Sequence, residues 1–551
     1  MGDRFGWASL QPWLRWVLAL AIGLGIVLRF GHLDRKVYWG DEVFSSFRVA
    51  GYTLAEVTDR VFDNQPRTIA DLQAQFQQPN SARSVIDTVR SLAQDDPQHP
   101  PLYYLLARWW EEIAGGLGLQ NTVGLRRLLT ALLSLLAIPA AGGLAAQLLG
   151  GSLAGWIAAA IAALSPFNLL YAQEVREYGL WSGLLALAGW LLARALQRNR
   201  PRDWVLWAIG LTLLLYTHLF SVVVAGGYGL AALWWLWRSR AGRSAWIGLL
   251  VSSGAAGLAF LPWAIATLQN LATISRTNGF TAQPVAFGVL LHNWWLNLAR
   301  PFIDGEPTGQ ILANPIAAQG VIALVALLVA VSGWNLITRE SPLARSLLLG
   351  LMGSQAVMLV LLDLNQGGFR SAIIRYLGPC YLGLQVMVAG YLARSLRPNT
   401  GKLPTNGIGA GALLLVLIGS LGSSGAIAQS PTWWSKQGSY AIVEAAQAIA
   451  VQPAPWIAAQ DAMPRVFSLS YQLPPETVVQ FLRPGAVPTV PGDRDLILFR
   501  PNATLRQQMT AAGYSLDRRF QTGTIYPYLP PLDQQAQIWL DRVSRRPRQG
   551  A

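Results

Sequence analysis

The sequence predicts a mainly α-helical protein, a polytopic membrane bundle of about eleven spans with a small α/β domain after it. Three observations point there. Apolar runs of roughly 17 to 25 residues, each about one hydrocarbon thickness as a helix, recur from residue 12 to residue 426. Of the 551 residues 52% are hydrophobic and 13% charged, where a soluble chain carries about 25% charge. The short loops between the runs are basic: Arg194/Arg198/Arg200/Arg202, Arg238/Arg240/Arg243, Arg339/Arg345 and Arg394/Arg397/Lys402. That is the positive-inside pattern. It accounts for the net charge of +14 without nucleic acid as a partner.

With the basic loops cytoplasmic, spans fall near 12–30, 127–147, 152–170, 179–196, 204–219, 221–237, 245–268, 311–336, 346–363, 375–393 and 408–426. The N-terminus is then inside and the C-terminus extracytoplasmic, in a plasma (inner) membrane. The first run, Trp13 to Phe30, lacks a small-residue cleavage pattern and reads as a retained signal anchor. Pro100 to Gly118 has the length of a span, but counting it would put the basic loops on the wrong side. It also holds Arg108, Glu111 and Glu112, costly at a bilayer centre. Those charges share one helical face, so the segment is expected to lie flat on the outer surface. The single cysteine, Cys380, lies in a span, so neither a disulfide framework nor a CxxC metal site is possible.

The first outer loop, 31–125, is too long to be a mere connection. Short helices are expected in it, flanking a mobile Gln-rich middle from Gln73 to Gln78. At its start Trp39-Gly40-Asp41-Glu42 sets two carboxylates beside aromatic surface, just past a bilayer face. It closes on Gln98-His99-Pro100-Pro101, where two prolines extend the backbone and place His99 before a helix. The turn Gln173-Glu174-Val175-Arg176-Glu177-Tyr178 follows the third span; Glu174, Glu177 and Tyr178 share a face at i, i+3 and i+4. It reads either as a charged cap or as an anion or sugar site. His218, in Tyr216-Thr217-His218, is an interfacial histidine or a ligand. The stretch 269–310 carries Arg276, His292, Trp294, Trp295 and Arg300, with the Trp pair suited to an interfacial belt or to sugar stacking. Arg370, Arg375 and Tyr376 lie at the outer mouth of a later span, where an arginine fork suits a lipid phosphate.

Beyond residue 427 the composition shifts to shorter apolar runs with more Pro, Gln and Asp. Strands are expected at Trp456 to Ala459, Val466 to Leu469 and Asp495 to Phe499, and helices at Ser439 to Ala450 and Thr504 to Ala512. The chain thus divides into a transmembrane domain, 1–427, and an extracytoplasmic α/β domain, 428–551, ending in an Arg-rich tail (Arg542 to Arg548) expected to be disordered. Such an outer domain would shape access for an acceptor.

Taken in order, WGDE, QHPPLYYLL, SPFNLLYAQEVREYGL, YTHLF and the late RYL resemble the GT-C glycosyltransferases of the protein mannosyltransferase and aminoarabinose-transferase type (glycosyltransferase families 39 and 83), over roughly residues 10–400. The resemblance implies a GT-C membrane bundle, a polyprenyl-phosphate sugar donor and an extracytoplasmic acceptor hydroxyl. It makes Asp41 the catalytic base with Glu42 beside it. His99, Glu174, Arg176, Glu177, Tyr178, His218, Arg370, Arg375 and Tyr376 are then candidates for holding substrate and donor. Where aminoarabinose transferases have Lys-Pro, this chain has His99-Pro100; where many members have an acidic-loop Asp, Glu174 or Glu177 stands here. A lipid monophosphate can leave without a metal and the sequence has no DxD pair, so no obligatory cation and no cofactor are expected. The rival reading is a multi-pass lipid or sugar transporter or flippase, whose polar residues would sit at mid-membrane rather than gather at one face.

Overall fold

The computed structural model describes residues 11–305, 314–396, 405–436, 438–488, 492, 495–522 and 537–545. The chain separates into two compact units: Met1–Leu33, Asp96–Tyr103 and Gly124–Ser430 in one; Asp34–Asp95, Tyr104–Val123 and Pro431–Ala551 in the other.

Among the described residues the first unit has helices and no strand. Among the described residues seven helices are long and apolar enough to cross a membrane: Pro12–Phe30, Val123–Leu148, Tyr178–Arg198, Arg243–Gln269, Pro315–Arg339, Pro342–Gln366 and Gly407–Gln429. An eighth span forms if Ser152–Leu164 and Pro166–Ala172 count together, bent by 54°. Pro166 causes the bend, since it can start a helix but not continue one; Ser165 caps the new helix through the Asn168 N–H. The other three expected spans are helices too, Pro201–Leu215, Ser221–Arg238 and Gly378–Ser395, but shorter or less apolar. The start of the expected 311–336 span lies outside the described residues. Outward faces carry exposed side chains such as Leu230, Leu258 and Trp334, surface that lipid accepts and water does not.

Small residues let these helices approach. A Cβ added at Gly350 would lie 2.5 Å from the Gly227 carbonyl oxygen, so these helices touch backbone to backbone. Arg29 ends the first helix fully buried, donating to the carbonyls of Gly25 (2.7 Å), Ala162 (2.9 Å) and Ala163. A guanidinium can be dry there because carbonyl groups take its protons.

The second unit is built on a mixed six-stranded sheet with order β1-β3-β2-β4-β6-β5. The strands are β1 Pro66–Thr68, β2 Pro455–Ala459, β3 Val478–Phe481, β4 Asp495–Phe499, β5 Tyr514–Gln521 and β6 Trp539–Arg545. β2 pairs in parallel with β3 and β4, while β1, β5 and β6 join antiparallel. Ala458, Leu496, Leu498 and Val543 meet Leu505 and Met509 of helix Ala503–Ala511 in one core cluster. Helix Ser439–Ala450 forms as expected.

Four expectations change here. The first outer loop is divided: Asp34–Asp95 and Tyr104–Val123 group with the sheet unit while Asp96–Tyr103 stays with the helices; β1 comes from the loop and pairs with β3, and Val37 N–H bonds to the Pro431 carbonyl at 2.8 Å. The Gln-rich middle is ordered, since Ile69–Phe76 is a helix capped by Thr68 that buries Ile69, Leu72 and Phe76. Val466 to Leu469 is part of helix Met463–Ser470, not a strand, with Pro464 in its first turn; a four-residue apolar run cannot be told apart by periodicity. The tail from Arg542 to Arg545 is strand, and Arg542 pairs with Asp495 at 2.5 Å; Arg546 to Arg548 lie outside the described residues.

Pro100 to Gly118 contains helix Leu102–Gly116, 15 residues long, short of the roughly 20 a span needs. Arg108 turns inward, bonding Glu112 (2.7 Å), the Val49 carbonyl and Thr88 (both 3.2 Å) and the Arg83 carbonyl (2.7 Å). On the other face Trp109, Ile113 and Leu117 are 49%, 61% and 72% exposed. An apolar outer stripe over a charged inner face suits a bilayer surface.

Candidate active site

In the helical unit a charged cluster forms where three helix-connecting segments meet. Two backbone bonds join the first two segments: Leu102 N–H to the Tyr216 carbonyl (3.1 Å) and Leu219 N–H to the Gln98 carbonyl (3.2 Å). They bring His99, placed by a turn from Asp96 and the two prolines, beside His218, with ring centroids 5.7 Å apart. The third segment is the turn after the bent helix pair, tightened by Arg176 N–H donating to the Glu174 carbonyl at 2.6 Å. It presents Arg176 and Glu177 to both histidines.

At the centre is the Glu177 carboxylate, fully buried. His99 Nδ1 lies 2.8 Å from its Oε1, His218 Nε2 3.9 Å from the same oxygen, and Arg176 Nε 3.8 Å from Oε2. Arg176 Nη2 also reaches His99 Nε2 at 2.8 Å. Aromatic rings wall the cluster. Trp181 stacks on His218 with centroids 4.5 Å apart, its indole N–H held by Ser221 at 2.9 Å. Tyr178 and Phe220 pack on His218 at 5.7 and 5.1 Å, and Phe220 meets Tyr376 at 5.2 Å. Arg375, on the short turn Ile374–Leu377, lies near enough for its charge to act on His218.

The electrostatics follow from these neighbours. Burial alone would raise the Glu177 carboxyl, but Arg176, His99 and His218 outweigh it and hold the acid well below the ordinary carboxylate range. Burial pushes His218 down to about 3, an effect the Glu177 carboxylate only partly offsets. His218 is therefore neutral at physiological pH, and Glu177 is charged.

Most of the sequence-predicted residues gather here: His99, Arg176, Glu177, Tyr178, His218, Arg375 and Tyr376. Glu174 is buried in the same turn. Arg370 does not join them. Its N–H and Nη1 bond Asp363 Oδ1 at 2.9 and 3.1 Å and Nη1 bonds the Gly367 carbonyl at 2.8 Å, bonds that hold the turn. Asp363 itself was not singled out from sequence. It also accepts from the Ser371 N–H and hydroxyl, each at 2.7 Å, and Ser371 in turn accepts from Trp294 at 2.9 Å. Its signal is a lone carboxylate near the end of an apolar run. Trp181 was also missed, because inside an apolar span a tryptophan carries no mark of its partner.

Asp41 and Glu42 belong to the other unit, in the first turn of helix Gly40–Ala50. The two carboxylates differ. Glu42 is fully buried and its Oε2 accepts the Trp39 N–H at 3.3 Å, capping the helix. Asp41 is half-buried at the same helix start.

By spacing, His99, Glu177 and His218 are the group among the described residues that could hold a metal ion, with one donor atom from each within 4.8 Å of the others.

No family model and no curated protein matches the chain. Solved structures similar to it include ArnT from Cupriavidus metallidurans bound to undecaprenyl phosphate, at 13% identity over 96% of this chain and 98% of that one, TM-score 0.47. The archaeal oligosaccharyltransferase AglB from Archaeoglobus fulgidus, solved with an inhibitory peptide and a dolichol-phosphate, is 12% identical over 85% of this chain and 64% of that one, TM-score 0.43. The arabinofuranosyltransferase AftD from Mycobacteria is 15% identical over 99% of this chain and 41% of that one, TM-score 0.48. What the cluster can do chemically is a matter of this chain's own residues.

Proposed function

We propose that the chain is an integral-membrane glycosyltransferase that moves a sugar from a polyprenyl-phosphate donor to an extracytoplasmic acceptor hydroxyl. The observation that carries this is the composition of the cluster: Arg176 and two imidazoles around the buried Glu177 carboxylate, with Glu174 buried in the same turn, Arg375 near His218, and Tyr178, Trp181, Phe220 and Tyr376 lining it. Guanidinium groups suit a phosphate and aromatic faces suit a sugar ring. The cluster sits in turns at helix ends, where a lipid headgroup arrives, and not at mid-helix as a transport pathway would require.

In this reading Asp41 takes the proton of the acceptor hydroxyl as its oxygen attacks the anomeric carbon. The bond from that carbon to the lipid phosphate breaks and its electron pair leaves with the phosphate. Arg176 and Arg375 offset the growing negative charge. Glu42 caps the helix whose first turn carries Asp41. In this reading the membrane is the plasma (inner) membrane, with the C-terminus on its outer side.

The test is biochemical. Full-length protein in nanodiscs, given a polyprenyl-phosphate hexose or pentose and an extract of envelope acceptors, is expected to release polyprenyl phosphate and label an acceptor. If a panel of such donors stays intact, and surface glycans are the same with and without the expressed protein, the transferase reading fails.

A further inference from the structure

Spacing would make His99, Glu177 and His218 a metal site, and two imidazoles with one carboxylate are a familiar donor set for zinc. What decides the matter is the far side of each ring. A histidine that ligates a metal through one nitrogen carries its proton on the other and donates it to an acceptor. Here both far nitrogens face donors. Arg176 Nη2 is 2.8 Å from His99 Nε2, and a guanidinium has no lone pair to accept with. His99 Nε2 therefore accepts, and the ring's proton sits on Nδ1, 2.8 Å from Glu177 Oε1. The Phe220 backbone N–H donates to His218 Nδ1 at 3.1 Å. The proton of this ring is then on Nε2, the nitrogen that faces the same carboxylate oxygen at 3.9 Å. Both histidines point N–H at Glu177, where a metal ligand must point a lone pair.

We propose that Glu177 is a positioning residue whose carboxylate gathers the N–H groups of His99 and His218, and through His99 fixes the Arg176 guanidinium, in a cluster that holds charge without a metal ion. Burial supports this, because it keeps the His218 ring neutral with one proton to place. Inserting a cation would reverse both tautomers and leave the Arg176 and Phe220 donors facing N–H groups instead of lone pairs. The proposal deepens the transferase reading, on which it rests for the purpose of the cluster but not for the proton positions.

The chain has four histidines, His32, His99, His218 and His292. That is few enough to assign by single substitutions in full-length, 15N-histidine-labelled protein in nanodiscs. At neutral pH the spectrum is expected to show His99 protonated at Nδ1 and His218 at Nε2. Added Zn2+ is expected to leave both rings unchanged, with no stoichiometric metal after dialysis. In Glu177→Gln the His99 signal is expected to become a mixture of tautomers while the helical circular dichroism persists. If that variant does not fold, the wild-type spectrum with and without zinc decides. Reversed tautomers, or zinc taken up stoichiometrically and lost in His99→Ala, would overturn the proposal. The expected tautomers in a protein that transfers no sugar would remove the transferase reading and leave this assignment standing.

Discussion

At the scale of single residues, the site is organised by the buried Glu177 carboxylate and its partners. Both Glu177 and His218 have pKa values depressed by the fold, so both contribute stability at neutral pH and lose it on acidification. For His218 the window lies between the unfolded value, about 6.5, and the folded value of about 3. There the unfolded chain binds a proton that the native chain does not, at a cost of about 1.4 kcal/mol per pH unit. The loss from Glu177 begins lower, below about pH 4.3. The melting temperature in detergent is therefore expected to fall from pH 6.5 to pH 4.5, and His218→Asn is expected to flatten that slope; an unchanged slope would contradict the account. Arg375→Ala removes charge-assisted bonds to a phosphate, each worth roughly 1.5–3 kcal/mol, so donor affinity is expected to drop about 10- to 100-fold with folding intact. Titration with the lipid donor reads this directly, and equal affinity would move the phosphate elsewhere. Much at this scale was legible in sequence, because charged residues next to apolar runs need a reason to be there. What sequence does not show is a pairing such as that of Arg370 with Asp363, seven residues away.

At the scale of elements, the apolar periodicity located the helices well, since a membrane leaves the backbone little alternative. What periodicity does not show is how closely they pack. The contact between Gly227 and Gly350 has no room for a side chain, so Gly350→Val should push helices Ser221–Arg238 and Pro342–Gln366 apart and cost about 1–3 kcal/mol. A thermal shift assay checks it. Helix Leu102–Gly116 offers a second test. With Cys380 replaced by Ala, Ile113→Cys is expected to react with a lipid-soluble thiol reagent and resist a water-soluble one; the opposite would place that face in water. The misassigned segment, Val466 to Leu469, was ambiguous for a plain reason: four apolar residues fill one strand or one helical turn equally well.

At the scale of the whole molecule, the division of the chain was the least legible feature. β1 is three residues long and pairs with a segment about 410 residues later, and no local pattern announces such a pairing. Its consequence is concrete. The segment after Gln429 supplies β2 to β6, every strand of the sheet except β1. It is therefore no detachable accessory, and truncation there is expected to unfold the unit that carries Asp41 along with it. The central claim is that this unit supplies the base of a sugar transfer. Its most direct test is Asp41→Asn, compared with wild type for transfer from a polyprenyl-phosphate sugar in nanodiscs and, on the same samples, for binding of that lipid. The account predicts transfer lost by at least about 100-fold, with lipid binding and melting temperature retained. Transfer at the wild-type rate by the Asn variant would contradict it.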